Sequence, residues 1–316
     1  MRIFDKGNKP ESVFPFEVCQ IFAFYILLLI LLMVLQRWLI YQPTRVSTLS
    51  VDQAGAPFGV VHDISTQTDD GLDLKGWHFL AGQVGCTDRA ACDIELAKGR
   101  PVVILLHGNG GNRLHRTETC RLLASLNMHV FAFDYRGYAE NPGSPSQTGL
   151  LNDARALWKY AVRDRKIDPQ RIILMGESLG GGVATLLASE LCQKKTPPAG
   201  LILRSTFSSM VDAASHHYPW VPVSWLLWDQ YPSLKVIPEI QCPLLMIHGT
   251  ADHIVPYALG EKLFEAALPM SSTGIPKRMV TIQQGTHNGL IYEARGILTT
   301  TYDQFAKQVI PLPVIE

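Results

Sequence analysis

Arg171-Ile172-Ile173-Leu174-Met175-Gly176-Glu177-Ser178-Leu179-Gly180-Gly181-Gly182-Val183-Ala184 is the stretch on which the fold turns. The apolar residues Ile172 to Met175 are short and β-rich enough for a buried parallel strand. Gly176 to Gly180 then swings the chain into a helix-forming segment. A serine on so sharp a turn has strained backbone angles, and neighbours without a Cβ let strand and helix approach closely. Ser178 is therefore expected to stand above the sheet edge. As a bare pattern G-x-S-x-G also fits a glycine-rich turn with an idle serine; the strand before it and the small-residue helix after it give it weight.

Working outward, strand-like and helix-like stretches alternate on both sides. Upstream, Val60 to Thr68 and Leu72 to Leu80 flank Asp69-Asp70-Gly71 as a hairpin would. Gly82 to Arg100 is polar and reads as a loop insertion. Pro101 to Leu106 is a buried strand ending in His107-Gly108-Asn109-Gly110-Gly111-Asn112, followed by helix (113–126), strand (129–134) and helix (147–164). Downstream come helix (179–193) and strand (200–204). Ser205 to Ile240, with Trp220, Trp225, Trp228 and four prolines, is interrupted helix and reads as a small cap. A strand (243–248), helix (257–268), strand (278–283) and closing helix (290–309) complete the pattern. Such alternation argues for right-handed βαβ crossovers and a mostly parallel sheet with helices on both faces.

A serine hydroxyl needs a base to take its proton, and the base needs a carboxylate to orient it. In an open parallel sheet these groups belong at the carboxyl ends of strands. Asp252 lies just past the Leu244 strand in His248-Gly249-Thr250-Ala251-Asp252-His253, and His287 just past the last strand in Gly285-Thr286-His287-Asn288. Alone, Asp252 could be a turn or capping residue and His287 a surface-loop histidine; together, in the order Ser178, Asp252, His287, they match the nucleophile-elbow hydrolases. Leu179, after the nucleophile, and Asn109, in the glycine-rich turn, are the candidate backbone N–H donors for an oxyanion. The same turn lacks the Lys-Ser/Thr ending of a P-loop. His107 and His248 read as loop braces, and Asp134 as an alternative acid. No spacing of His216-His217 or of the six cysteines is a metal pattern, so neither metal nor cofactor is expected.

Lys+Arg and Asp+Glu number 28 each, so there is no basic field for nucleic acid. Hydrophobic residues make up 47% of the 316, and the excess lies near the N-terminus. Val18 to Leu35 carries no charge and covers about 27 Å as helix, close to the hydrocarbon thickness. Trp38 and Tyr41 sit where an interfacial aromatic belt would lie. A cleaved signal peptide is the rival, but Gln36-Arg37-Trp38-Leu39 follows instead of small residues. Arg2, Lys6 and Lys9 ahead of the span, against Arg37 and Arg45 behind it, put the N-terminus in the cytoplasm and the body on the other side. Cys86 and Cys92 flank the polar insertion, as a small disulfide loop or as two reduced thiols.

From Thr44 to about Gln308 the chain resembles the α/β-hydrolases, and within them the single-span, membrane-anchored, serine-aminopeptidase-like branch that includes depalmitoylases. Leu39 to Arg45, His107 to Asn112, Asp134-Tyr135-Arg136-Gly137-Tyr138, Gly176 to Gly180, His248 to Pro256 and Gly285 to Asn288 carry the likeness. The Gly82 to Arg100 insertion departs from it. The resemblance implies an α/β-hydrolase fold: a mostly parallel sheet flanked by helices, with a short helical cap (about 205–240), preceded by one transmembrane helix. Residues 1–45 would hold tail, anchor (about 18–35) and exit segment, and 46–316 the hydrolase domain. The expected activity is cleavage of an ester or thioester with an apolar acyl group, using Ser178, His287 and Asp252. A peptidase on the same triad and a non-enzymatic, membrane-tethered binding protein are the alternatives.

Overall fold

The computed structural model describes residues 16–310; Arg2, Lys6 and Lys9, on which the charge bias rests, lie outside them. Eight strands form one sheet: β1 (Val61–Gln67), β2 (Asp73–Phe79), β3 (Val102–Leu106), β4 (His129–Phe133), β5 (Ile172–Glu177), β6 (Gly200–Arg204), β7 (Leu244–Gly249) and β8 (Arg278–Ile282). Their order is β8-β7-β6-β5-β3-β4-β2-β1. β2 runs antiparallel to β1 and β4, and every other pairing is parallel. β3 and β5 are central, so the candidate serine and the glycine-rich turn leave the sheet side by side at its carboxyl edge.

Strand pleating sends alternate side chains to opposite faces, and two cores result. Val102, Ile104 and Leu106 point to one, with Leu150 and Leu157 of helix α4 (Gln147–Lys159) and Val183 and Leu187 of α5 (Leu179–Gln193). Val103 and Leu105 point to the other, with Leu123 of α3 (Thr117–Ser125) and Leu298, Tyr302 and Phe305 of α8 (Arg295–Val309). Central strands sealed on both faces account for the uninterrupted apolar runs; each such side chain contributes roughly 1.5–3 kcal/mol by burial.

Residues 205–240 form a cap of α6 (Met210–His217) and short helical turns at Val223–Leu226 and Ser233–Val236. α7 (Tyr257–Ala266) joins β7 to β8. At the N-terminus α1 (Phe16–Ile40) is the one helix among the described residues long and apolar enough to cross a membrane; at 25 residues it outruns the expected 18.

Two expectations need correction, on the insertion and on Tyr41, and the alternative left open for the cysteines is decided. The insertion is not all loop: α2 (Arg89–Ala97) forms there, its first turn capped by the Asp88 carboxylate on the Ala91 N–H, with Cys92 and Leu96 turned inward. Cys86 and Cys92 are free thiols buried with Leu80. Tyr41 does not sit in an aromatic belt, because it is buried with its hydroxyl 2.8 Å from that of Tyr231; Trp38 is exposed. Directly after α1, Gln42–Pro43 pairs in parallel with Gly110–Gly111.

Candidate active site

Ser178 follows β5 and precedes α5 with φ 53° and ψ −118°, a left-handed conformation costing about 1–3 kcal/mol that the surroundings must enforce. They do so by hydrogen bonds and by close approach. The Ser178 N–H donates to the Arg204 carbonyl (2.9 Å), and its carbonyl accepts from the Gly181 N–H and the Thr206 hydroxyl (2.9 Å each). A Cβ on Gly180 would sit 2.0 Å from the Leu106 carbonyl oxygen, and one on Gly176 would sit 2.4 Å from that of Gly180. The elbow glycines are thus fixed by contact between α5 and strands β3 and β5.

Asp252 and His287 leave the sheet at β7 and β8, which are neighbours, and their loops are tied together. Thr250 N–H donates to the Ile282 carbonyl, and Ala251 N–H to that of Gly285 (3.0 Å each). One carboxylate oxygen of Asp252 accepts the Ile254 and Val255 N–H groups (3.0 and 2.8 Å). The other lies 2.7 Å from His287 Nδ1 and 3.3 Å from His248 Nε2. Burial pushes the Asp252 carboxyl up, but bonds from His248, His287 and the Val255 N–H outweigh it and hold the group well below the usual carboxylate range. An ionised Asp252 can only accept here, so His287 Nδ1 is the donor of this hydrogen bond. Ser178 and His287 line one cleft of ≈600 Å³, together with Asn109, Arg116, Glu177 and Arg204.

Leu179 buries its side chain, but as the first residue of α5 its N–H is one of the helix-start amides without an intrahelical acceptor. Asn109 is fixed from three sides. Its carbonyl accepts from the Tyr138 hydroxyl (2.8 Å) and the Gln42 N–H (3.3 Å), and its side-chain amide donates to the Ile40 carbonyl (3.0 Å). The last residue of α1 therefore braces the glycine-rich turn, a long-range contact with no local sequence signal.

Two further features escaped the sequence. Glu177 is half-buried between Arg204 (2.6 Å) and Arg116 (3.4 Å); desolvation pushes its carboxyl up, but the two guanidiniums hold it down at about 2. His248 braces its loop as expected, through the Val255 carbonyl (2.9 Å), yet it also faces Asp252. Asp134, the alternative acid, faces His107, whereas Asp252 faces His287; Asp134 is buried against Arg113, which also holds Glu140. Among the described residues no group of three His, Cys, Asp or Glu side chains is placed to hold a metal ion.

Residues 101–222 match the family described as alpha/beta hydrolase fold. An uncharacterized protein of Mycobacterium tuberculosis is 39% identical over 253 residues, 80% of each chain. The lysophosphatidylserine lipase ABHD12 of Danio rerio is 34% identical over 230 residues, 67% of this chain and 60% of that protein, so the chain spans less than two thirds of this relative's length. The Pyrococcus furiosus esterase Pf2001 superposes with a TM-score of 0.60 at 19% identity, over 86% of this chain and 98% of its own. At that identity the last likeness speaks to the fold, and it agrees with the strand order and the elbow described above. The chain belongs to the α/β-hydrolase family and is a hydrolase.

Proposed function

We propose that this hydrolase is membrane-anchored and cleaves the carboxylic ester or thioester of an acyl lipid through Ser178, His287 and Asp252. The observation that carries the reading is the 2.7 Å contact of His287 Nδ1 with a buried, ionised Asp252, in the cleft that also receives Ser178 from a strained elbow. Ser178 Oγ attacks the acyl carbonyl as His287 Nε2 takes its proton. The carbonyl oxygen becomes the oxyanion, with the Asn109 and Leu179 N–H groups as its donors. His287 then returns the proton to the leaving alcohol or thiol. Water, deprotonated by the same imidazole, releases the acid and restores Ser178.

The lipid substrate is supported by three things: the apolar α1, the name of the ABHD12 relatives, and the charge of the cleft. Arg116 is the cleft cation whose nearest carboxylate, Glu177, is already bound by Arg204, so its guanidinium suits an anionic headgroup. In this reading residues 1–45 are tail and anchor, 46–316 the hydrolase domain, and the body lies on the non-cytoplasmic side. A fluorophosphonate probe should label Ser178 and leave Ser178→Ala unlabelled. Rates over acyl length and headgroup should favour long-chain, anionic lysophospholipids; preference for short neutral esters or aminoacyl amides would overturn the substrate. Protease protection in sealed vesicles tests the sidedness.

A further inference from the structure

Along α1 the residues shielded from solvent include Tyr25, Leu28, Leu32, Met33, Gln36 and Ile40, while Phe24, Leu27, Leu31 and Val34 are exposed. Steps of three and four put the shielded set on one face of the helix. The cap covers that face. Tyr25 Oη donates to the Trp220 carbonyl (2.7 Å), Gln36 Nε2 to the Leu226 carbonyl (3.1 Å), and the Trp228 N–H to Gln36 Oε1 (2.7 Å). Arg37 closes the contact on Asp229 at 2.9 Å. An apolar groove of ≈210 Å³ runs between the two, walled by Leu32, Met33 and Ile40 on one side and Val223, Leu226 and Leu227 on the other.

These contacts fix a depth. Tyr25 lies twelve residues before Arg37, about 18 Å along the helix axis, whereas half of a hydrocarbon core is about 15 Å. If Arg37 marks the water boundary, a helix that enters the bilayer takes the cap with it, down to about the midplane. The cap strip is built for that. Tyr218 to Trp228 contains no charged residue, and Tyr218, Trp220, Trp225 and Trp228 are all exposed, Trp225 at 88%. Pro219 and Pro222 carry no N–H, and the Val221, Val223, Trp225 and Leu227 N–H groups are bonded within the strip. The Trp220 and Leu226 carbonyls and the Trp228 N–H are taken up by α1. In hydrocarbon each such group left unpaired would cost several kcal/mol. Asp229, the carboxylate at the strip's end, is neutralised by Arg37.

We infer that the Tyr218–Trp228 strip is a second membrane-inserted segment, docked beside α1 in one leaflet, and that the partner of this face is the lipid bilayer. The inference rests on α1 being the anchor. Trp228, beside the Arg37–Asp229 pair, suits the zone between headgroups and acyl chains, and the deeper groove would be filled by lipid tails. The site's carboxyl-edge cleft would then be held at the membrane surface by two attachments instead of one.

The test uses the full-length protein in phosphatidylcholine vesicles whose acyl chains carry bromine at carbons 6,7 or 11,12, which quenches nearby indoles. Four of the six tryptophans (38, 220, 225 and 228) are exposed here, and the other two are buried. The fluorescence lost to bromolipid should fall about fourfold in the W220F/W225F/W228F variant, with W225F alone as the milder check on folding. Equal losses in wild type and variants, with the protein floating with the vesicles, overturn the inserted strip and leave the anchor standing. Failure to float overturns both. Neither outcome touches Ser178, whose probe labelling is read separately.

Discussion

Two histidine–aspartate pairs stand at the carboxyl edge of the same sheet, and only one of the two histidines lines the cleft. His287 and Asp252 meet at 2.7 Å beyond β7 and β8; His107 and Asp134 approach to 3.6 Å beyond β3 and β4. Both carboxylates are buried, so burial does not separate them. The direction of the imidazole N–H does. In the first pair Nδ1–H points at the carboxylate, leaving Nε2 on a histidine that lines the cleft. In the second, Nδ1–H donates to the Gly108 carbonyl (2.7 Å), and Nε2 is sealed among Asp134 and the Tyr135 and Tyr138 rings. Burial and the nearby Arg116 hold His107 down at about 3, so it stays neutral and serves as a wedge. A histidine beside an aspartate becomes a base only when its second nitrogen has somewhere to send a proton.

The comparison breaks most directly at its active end. Ser178→Ala should lower kcat by about 10⁴-fold or more with little change in Tm, and Asp252→Asn by about 10³- to 10⁴-fold, because the amide no longer fixes the His287 tautomer. Asp134→Asn should do the reverse. Activity should stay within a few-fold, while stability falls by about 1.5–3 kcal/mol as the buried Arg113 loses a charged hydrogen-bond partner; chemical denaturation reads the difference. If Asp134→Asn abolishes turnover in protein that is still folded, the two pairs have been assigned the wrong way round.

The pairs should also differ in how stability follows pH. Burial raises the Asp134 carboxyl to about 6 against the pull of Arg113. A group raised on folding contributes stability that is fully present below its unfolded value, about 3.9, and lost as pH rises through 6. The stability gap between wild type and Asp134→Asn should therefore widen as pH falls from about 6 to 4. Asp252 is depressed on folding, so its contribution is present above about pH 4 and lost on further acidification. The gap to Asp252→Asn should narrow there. Parallel curves for the two variants would show that the carboxylates do not differ as described.

How far all this was legible follows from which forces are local. α5 and β6 fall on the expected residues, Leu179–Gln193 and Gly200–Arg204, because apolar runs are punctuated by glycine and proline at their ends. The neighbouring placement of Asp252 and His287 followed from strand ends alone. α2 was missed in a polar stretch, although Asp88 at its start and Cys92 with Leu96 one turn apart were the available signal. The tie of Asp134 to Arg113 and that of Ile40 to Asn109 join residues 21 and 69 positions apart. Nothing in the flanking sequence specifies such contacts. Tyr41 was misjudged for the same reason: its partner, Tyr231, is 190 positions away.

The smallest expected effect is the sharpest, because it sits inside the active pair. His248 Nε2–H is shared between the Val255 carbonyl at 2.9 Å and the Asp252 oxygen that also faces His287. It can steady that oxygen, but it is fully buried and absent from the cleft lining, so it cannot reach a substrate. Replacing it with leucine removes one donor, worth about 1 kcal/mol, and should lower kcat roughly three- to tenfold with KM unchanged. His287→Ala should cost orders of magnitude more. Should His248→Leu match it, Asp252 would be acting through His248 instead, and an imidazole without a route to the cleft could not then be dismissed as a brace at either end of the sheet edge.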